Sequence, residues 1–300
     1  MEFKVLKMKK IGIYIILILL ISCNDNDIFE EQEGESILVV DGWIENDRYA
    51  RVILTRTTPY FSIVDSSTYL DLVEYAAKVT VSDGINSDVL TVGKDERYFP
   101  PLHYHGTKIK GETGKTYYLT ISKSNYYNNT DSLVYDTIAT AITTIPKVPK
   151  IDTAWFELEP PKDSLGVIKM TFTDDTTEHN FYKVYTAYIE EKIKYIPVIS
   201  ATIDDDLFDK PVNTYTLFKG TYGPIMQPED VYFKIGESVR IKLATLTEES
   251  YNFWNLYQLE SLNAINPFAS SSTNLQGNIN GDGIGIWTGQ AFAYYDIEIK

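Results

Sequence analysis

Short runs of β-branched and aromatic residues, separated by turn residues, recur from Ile37 almost to the end of the chain. Several of them, such as 51–55 and 239–245, alternate apolar and polar residues, which is the period of a strand with one buried face. Short strands at regular spacing, without helical periods of about 10–15 residues between them, favour antiparallel sandwiches. We therefore predict a mainly β protein. The predicted strands are 37–44, 51–55, 78–81, 88–92, 116–121, 137–142, 154–158, 166–172, 181–189 and 239–245.

A proline-containing segment, residues 143–150, interrupts the strand pattern near the middle of the chain. Pro146 and Pro149 favour an extended, stiff connector there. A chain of 300 residues can form one large domain or two domains of about 150 residues each. We predict two β-sandwich domains of the immunoglobulin or fibronectin type, an N-terminal one at 37–142 and a C-terminal one at 151–300.

One segment, residues 248–262, has the signals of a helix. Thr247 is a favourable N-cap, Glu248 complements the positive end of the helix dipole, and Pro267 stops the segment. Apolar side chains surround most of the helix circumference, which predicts packing on more than one side. We interpret this helix as an insertion that closes one end of the second sandwich.

The N-terminus has the features of a targeting signal. Four lysines in the first ten residues precede an apolar run, 11–21, which is shorter than the roughly 20 residues of a membrane-spanning helix. The run ends in Leu20-Ile21-Ser22-Cys23, which resembles the lipobox of bacterial lipoproteins, and Cys23 is the only cysteine of the chain. We predict a lipoprotein signal peptide at 1–22 and lipidation of Cys23. The alternative is an ordinary signal peptide with a chance cysteine.

Residues 23–36 are acidic and rich in turn formers, which predicts a flexible tether. Acidic residues directly after the lipidated cysteine resemble the surface-export signals of Bacteroidota lipoproteins, and an ordinary solvated linker is the alternative. Several acyl chains hold a protein firmly on a membrane, at about 0.8 kcal/mol per buried methylene. We therefore expect a lipid-anchored protein of the outer membrane that faces the cell exterior.

Composition excludes several classes of function. The formal charge of −15 and the sequence pI of about 4.7 argue against nucleic acid as a partner, because phosphate neutralisation needs a basic face. One cysteine excludes a disulfide framework and cysteine-based zinc sites. No Gly-x-Ser-x-Gly elbow, P-loop or His-Glu-x-x-His motif is present, so we expect no enzyme activity and no cofactor. A hydrolytic carboxylate pair stays open, because spatial separation decides it.

Two groups of residues have the ligand types of metal sites. His103 and His105 share one face of an extended segment, but the sequence identifies no third ligand, and His179 is expected to be an isolated surface residue. Acidic runs could supply oxygen ligands to calcium, although such runs are usually solvated loops. They are Asp174-Asp175, Asp204-Asp205-Asp206 with Asp209, and the Gly-rich stretch 278–283. We expect no metal, and we interpret the glycines of 278–283 as turn residues with positive φ.

Aromatic residues are the more informative surplus, with 23 tyrosines, 13 phenylalanines and four tryptophans. Three aromatic pairs fall in predicted loops, where they suit contacts with a partner protein or with sugar faces. Packing of these rings over the edge of the core is the alternative. The candidate ligand-binding residues are Tyr60, Phe61, Tyr98, Phe99, Tyr126 and Tyr127.

Six segments of the sequence resemble a known family. They are LVVDGWI at 38–44, AKVTVSDG at 77–84, GKTYYL at 114–119, ESYNFW at 249–254, NPF at 266–268 and GNINGDGIGIW at 277–287. Together they resemble the domain-of-unknown-function 4249 lipoproteins of Bacteroidota over roughly residues 37–288. The resemblance implies a lipid anchor and association with TonB-dependent outer-membrane receptors. It supplies no reaction and no catalytic residues.

These observations lead to one functional expectation and one alternative. We expect an outer-membrane lipoprotein that is a non-enzymatic accessory to a TonB-dependent transporter in ligand binding or nutrient uptake. The alternative is a carbohydrate- or matrix-binding adhesion module that acts without a transporter.

Overall fold

The computed structural model describes residues 36–58, 69–126, 133–189, 194–207, 211–221, 227–263 and 275–300. Within these ranges the chain is mainly β with one α-helix, as predicted. The helix is α1 (Glu248–Asn263), and short 3-10 helices lie at Tyr69–Leu72, Asp205–Leu207 and Pro228–Val231. The strands are β1 (Leu38–Glu45), β2 (Tyr49–Arg56), β3 (Lys78–Ser82), β4 (Ser87–Val89), β5 (Thr91–Lys94), β6 (Leu102–Lys110), β7 (Thr116–Tyr126), β8 (Leu133–Thr144), β9 (Lys150–Leu158), β10 (Leu165–Thr173), β11 (Phe181–Tyr188), β12 (Ile196–Asp204), β13 (Val212–Leu217), β14 (Phe233–Lys234), β15 (Ser238–Leu246), β16 (Asn280–Gly281) and β17 (Gly283–Glu298).

The strands form three sheets. The large sheet has eight strands in the order β12-β11-β15-β17-β1-β2-β6-β5. A five-stranded sheet has the order β16-β8-β7-β3-β4, and a four-stranded sheet joins β9, β13 and β14 to β10. The named strands pair antiparallel except for β1 and β17, which run parallel over their whole shared length. The architecture is therefore sandwich-like, with one parallel pair at the centre of the large sheet.

Both small sheets pack on the same face of the large sheet. The first core lies between the five-stranded sheet and the half of the large sheet that contains β1 and β2, and it includes Val40, Leu54 and Trp287. The second core lies between the four-stranded sheet and the half that contains β11 and β15, and it includes Val184 and Leu243. Side chains alternate along each strand, so the residues between these core positions point to the opposite face.

The predicted division into two domains is not confirmed, because the large sheet takes strands from both sides of residues 143–150. Strand β17 joins the two halves: Trp287 and Ala291 belong to the first core, and Ile297 packs against the second. All these strands belong to one compact unit of the chain. Residues 145–149 do connect β8 to β9, as the two prolines indicate, but Ile145 is fully buried in the first core.

Helix α1 begins and ends close to the predicted residues. The Thr247 hydroxyl accepts a hydrogen bond from the Ser250 backbone N–H at 3.3 Å, which confirms the predicted N-cap. The helix does not close the end of the second sandwich. It packs on the opposite face of the large sheet, where Tyr251 stacks on Phe181 of β11 with ring centroids 4.8 Å apart. Its apolar surface is only partly covered, because Tyr257 is 49% exposed. Among the described residues, no helix combines the length and apolarity needed to span a membrane.

The glycine-rich stretch before β17 lets the chain approach β1 closely. Gly281 has the predicted positive φ, 109°, whereas Gly283 does not; Gly285, which lies within β17 and outside the predicted stretch, has a φ of 119°. A Cβ on Gly285 would lie 2.0 Å from the Val40 carbonyl oxygen, so a side chain does not fit there. Asn278 holds the same region: its amide donates to the Trp287 carbonyl oxygen at 2.8 Å and its side-chain oxygen accepts from the Trp287 N–H at 2.8 Å. These contacts fix the start of β17 against the first core.

Candidate functional site

The face of the large sheet opposite the two cores carries a cleft of about 650 Å³. Strands β1, β2, β11, β15 and β17 supply most of its described lining, and Trp254 of α1 lies at one side. The loop before β6 contributes Tyr98 and Phe99. The cleft therefore lies over the parallel β1–β17 pair, where strands from the two ends of the chain meet.

The described lining of the cleft is cationic, although the chain as a whole is acidic. Eight lysines and arginines line it against three carboxylates, whereas the chain has 27 basic and 42 acidic residues. Such a reversal concentrates positive potential in a concave site and attracts anions. The basic residues are Arg48, Arg51, Arg97, Lys110, Lys183, Lys194, Arg240 and Lys242, and the acidic residues are Asp41, Glu45 and Asp47.

Four of the eight cations that line the cleft, Arg51, Arg97, Arg240 and Lys242, have ionic partners in the described protein. Arg240 forms a bidentate pair with Asp296, with both distances 2.7 Å. Arg97 pairs with Asp95 at 2.6 Å, and the hydrogen bonds that the Arg97 side chain donates hold the pKa of Asp95 far below its usual value. Arg51 also reaches Asp95, at 3.5 Å. These pairs neutralise part of the positive charge of the lining.

Lys242 of β15 belongs to a closed ion pair within the cleft. Its ammonium contacts the Glu45 carboxylate of β1, and the Gln290 side-chain amide donates to the same oxygen at 2.7 Å. The lysine side chain is 7% exposed and that of Glu45 is 13% exposed. Rings of Tyr185 and Phe292 lie 5.2 and 4.7 Å from the ammonium. Both charges are therefore satisfied inside the protein.

Lys183 of β11 is equally buried but has no such partner. It is 5% exposed, and in the described part of the chain its ammonium makes no ion pair or hydrogen bond. Its Nζ lies 3.5 Å from the ring centre of Trp254, a close cation–π contact. Burial lowers the pKa of Lys183 to about 7, against the attraction of Asp41, which raises it.

Asp41 of β1 is the nearest opposite charge named in the electrostatics of Lys183, but the two are not in ion-pair contact. Burial raises the pKa of Asp41 to about 6, and Lys183 lowers it by a smaller amount. Thr288, from β17, lies in the same lining and is 3% exposed. Its hydroxyl is buried without a hydrogen-bond partner. The cleft thus contains a cation, an anion and a hydroxyl that the described protein groups do not satisfy.

Two of the six predicted aromatic residues line the cleft. Tyr98 packs against Trp43 with ring centroids 5.3 Å apart and lies under the Arg51 guanidinium at 5.0 Å. Burial raises the pKa of Tyr98. Phe99 is 72% exposed and contacts Tyr69 at 5.0 Å between centroids. Ligand binding by these two residues stays a prediction.

The structure does not test the other predicted site residues. Cys23, Tyr60, Phe61 and Tyr127 lie outside the described residues, and Tyr126 is the last residue of β7. The prediction of lipidation at Cys23 therefore stays a prediction.

The two histidines of the HYH sequence lie on β6 with their rings 6.0 Å apart. His103 is buried: its Nε2 lies 2.5 Å from an Arg51 guanidinium nitrogen and its Nδ1 lies 3.3 Å from the Pro101 carbonyl oxygen. Burial and Arg51 both lower its pKa. His105 Nε2 lies 3.3 Å from the Thr91 hydroxyl. These contacts with neighbouring protein groups account for the positions of both histidine rings.

The expectation of an isolated His179 is wrong. Its Nε2 lies 2.7 Å from Asp204, 3.2 Å from Asp205 and 3.7 Å from Asp206, and the hydrogen bond to Asp204 raises its pKa. This group is the one set in the described chain with the ligand types and spacing of a metal site. Asp209, which the sequence analysis grouped with the acidic run 204–206, lies outside the described residues. The contact between the His179 imidazole and the Asp204 carboxylate accounts for this arrangement without an ion.

Sequence reasoning missed Lys183, Asp41, Glu45, Lys242 and Thr288. The signal for the lysines was their position within strands whose other residues are largely apolar, such as Phe181–Tyr188. The partners of these residues could not be read from the sequence, because Glu45 and Gln290 are 245 positions apart.

Comparison with known proteins gives a family but no activity. No curated protein matches the chain. A family sequence model described as Domain of unknown function (DUF4249) matches residues 25–293, which include every described residue of the cleft except Tyr294. Because this match covers most of the 300 residues, the chain belongs to the DUF4249 family.

Proposed function

We propose that this chain is a non-enzymatic, ligand-binding lipoprotein of the outer membrane that acts as an accessory to a TonB-dependent transporter. The observation that carries the binding role is the cleft on the large sheet, with buried polar groups that have no partner in the described protein. Concave sites with aromatic walls and a few convergent polar groups are typical of ligand sites. The lipobox-like Cys23 and the acidic tether at 23–36 support the membrane location.

Binding fits the cleft better than hydrolysis does. A glycoside hydrolase needs two available carboxyl groups on either side of the scissile bond. In the cleft, Glu45 is occupied by Lys242 and Gln290, which leaves Asp41 as the partly buried carboxylate without a partner. One available carboxylate beside an unpaired lysine suits recognition of polar groups on a ligand.

The test of the accessory role is an affinity purification of the natively expressed, lipidated protein from membranes. We expect a TonB-dependent receptor to co-purify in stoichiometric amount, identified by mass spectrometry. A Cys23→Ser variant is the matched control, because it keeps the folded part and loses the predicted anchor. Absence of any outer-membrane receptor from the wild-type sample would overturn the transporter role.

An adhesion module that acts without a transporter is the second candidate. The observation in its favour is the ring of Phe99, which is 72% exposed at the cleft and therefore available to a sugar face or a matrix protein. Binding of intact cells to immobilised glycans, lost in a Phe99→Ala variant and independent of any receptor, would favour this candidate.

A further inference from the structure

The starting observation is a buried charge without a partner. Lys183 lines the cleft and is 5% exposed, and its ammonium lies 3.5 Å from the ring centre of Trp254. The neighbouring Lys242 repels the Lys183 ammonium. The Glu45 carboxylate is already bound to Lys242 and Gln290. An isolated buried ammonium is costly for the protein alone. An anion in the cleft would remove that cost.

A second, independent observation comes from the neighbouring strands. Thr288 Oγ1 is buried, lines the cleft and has no hydrogen-bond partner. Asp41, which is partly buried, accepts no hydrogen bond from the described protein. A ligand that fills the cleft could donate to Asp41 and bond to Thr288 at the same time.

We propose that the cleft binds a small organic acid that also carries hydrogen-bond donors, with its carboxylate on Lys183 and its donors on Asp41. This proposal rests on the proposed function, since it names the ligand class of the same cleft. Two kinds of compound have this chemistry: sugar acids, whose donors are hydroxyl groups, and amino acids or peptide ends, whose donors are ammonium and amide groups. The cationic lining attracts the acid, and Asp41 selects those that carry donors.

The aromatic wall is consistent with a ligand that has a compact carbon skeleton. Tyr185 lies on the same strand as Lys183, two residues further on, and so faces the same side of the sheet. Its ring is 5.2 Å from the Lys183 ammonium, and burial raises its pKa. A ligand carboxylate at Lys183 would therefore place its skeleton between the rings of Tyr185 and Trp254.

The experiment is isothermal titration calorimetry of the purified protein at pH 6.5 with two matched pairs of probes. D-galacturonate and D-galactose differ in one carboxylate, and so do alanyl-alanine and its C-terminal amide. We expect the acid of at least one pair to bind at least tenfold more tightly than its neutral partner. The pair that shows the preference identifies the source of the carboxylate.

Substitutions test whether the preference for the acid over the neutral probe arises in the cleft. Lys183→Met should abolish the tenfold preference for the acid, whereas Lys108→Met, which removes an exposed lysine of β6 outside the described lining, should keep it. Thr288→Val is a second, nearly isosteric variant, and it should weaken binding of the acid about threefold to tenfold.

Three results would overturn the proposal: equal binding of acid and neutral probe in both pairs, no binding by either acid at millimolar concentration, or a preference that survives in Lys183→Met. Each of these is independent of receptor co-purification, so failure of the ligand class and failure of the accessory role are distinguishable.

Discussion

Two lysine–carboxylate combinations face the same cleft but have different environments. Lys242 contacts Glu45, and Gln290 completes the cluster. Lys183 and Asp41 attract each other without contact, and neither is hydrogen-bonded within the described chain. The two lysines lie on neighbouring strands and are 6% and 5% exposed, so burial alone does not separate them.

The difference indicates which of the two lysine–carboxylate combinations stabilises the fold. A buried ion pair with its hydrogen bonds complete is costly to break, whereas a buried unpaired charge is costly to keep. The energetic cost of Lys183 must be offset by the two hydrophobic cores under the sheet. Strained or unsatisfied groups of this kind are typical of binding sites, where stability and function oppose each other.

The largest expected effect on stability comes from breaking the ion pair between Lys242 and Glu45. Lys242→Met leaves the Glu45 carboxylate buried with only Gln290 as a donor, so we expect the free energy of unfolding to fall by about 3 kcal/mol. Urea denaturation followed by circular dichroism measures this change. An unchanged denaturation midpoint would show that the pair is not the structural element described above.

Lys183→Met should change the free energy of unfolding in the opposite direction. The methionine side chain keeps the apolar contact with Trp254 and removes an unpaired charge, so we expect an increase in the free energy of unfolding of about 1–2 kcal/mol in ligand-free protein. The same denaturation experiment tests it. Destabilisation by Lys183→Met would mean that Lys183 has a protein partner after all.

The pH dependence of stability should distinguish wild type from Lys183→Met. Because the pKa of Lys183 falls from 10.5 to about 7 on folding, the unfolded chain binds more protons than the folded chain between these values. The buried charge of Lys183 therefore destabilises the folded state fully below about pH 7, and this destabilisation decreases as the pH rises toward 10.5. The stability of the wild type relative to Lys183→Met should therefore rise with pH above about 7, with a slope of up to about 1.4 kcal/mol per pH unit. A constant difference between pH 7 and 10 would contradict this.

The smallest expected effect concerns the unpaired hydroxyl. Thr288→Val replaces a buried oxygen without a partner by a methyl group of similar size, so we expect a gain in stability of at most about 1 kcal/mol. Thr143→Val is a matched control, because the Thr143 hydroxyl accepts a hydrogen bond from the Gly289 N–H at 2.7 Å. That control should lose about 1 kcal/mol. Equal effects of the two substitutions would indicate that Thr288 is satisfied.

The sequence predicts local elements of this fold well and their assembly less well. The alternation in 239–245 and the Thr247 cap identify β15 and α1, because period and capping depend on residues close in sequence. The parallel pairing of β1 with β17 joins residues more than 200 positions apart. No local pattern encodes that pairing, and it is what merges the two predicted sandwiches into one sheet.

The same limit applies to the candidate site. Lys183 and Lys242 look alike in the sequence, because each is a lysine within a strand that is rich in apolar residues. Which of them has a partner depends on β1, which the sheet order places on the other side of β17 from β15 and β11. Tyr98 and Phe99 could be singled out from the sequence because they form an aromatic pair in a predicted loop, and that signal is local.

The most direct test of the central claim is the pKa of Lys183 in ligand-free protein, measured by NMR titration of ¹³C-labelled lysine side chains. The Lys183→Met variant assigns the signal. We predict a midpoint near pH 7, and an upward shift when the bound acid is present. A midpoint near the ordinary value of 10.5 would contradict the account, because the ammonium would then be solvated or paired and would have no need of a ligand.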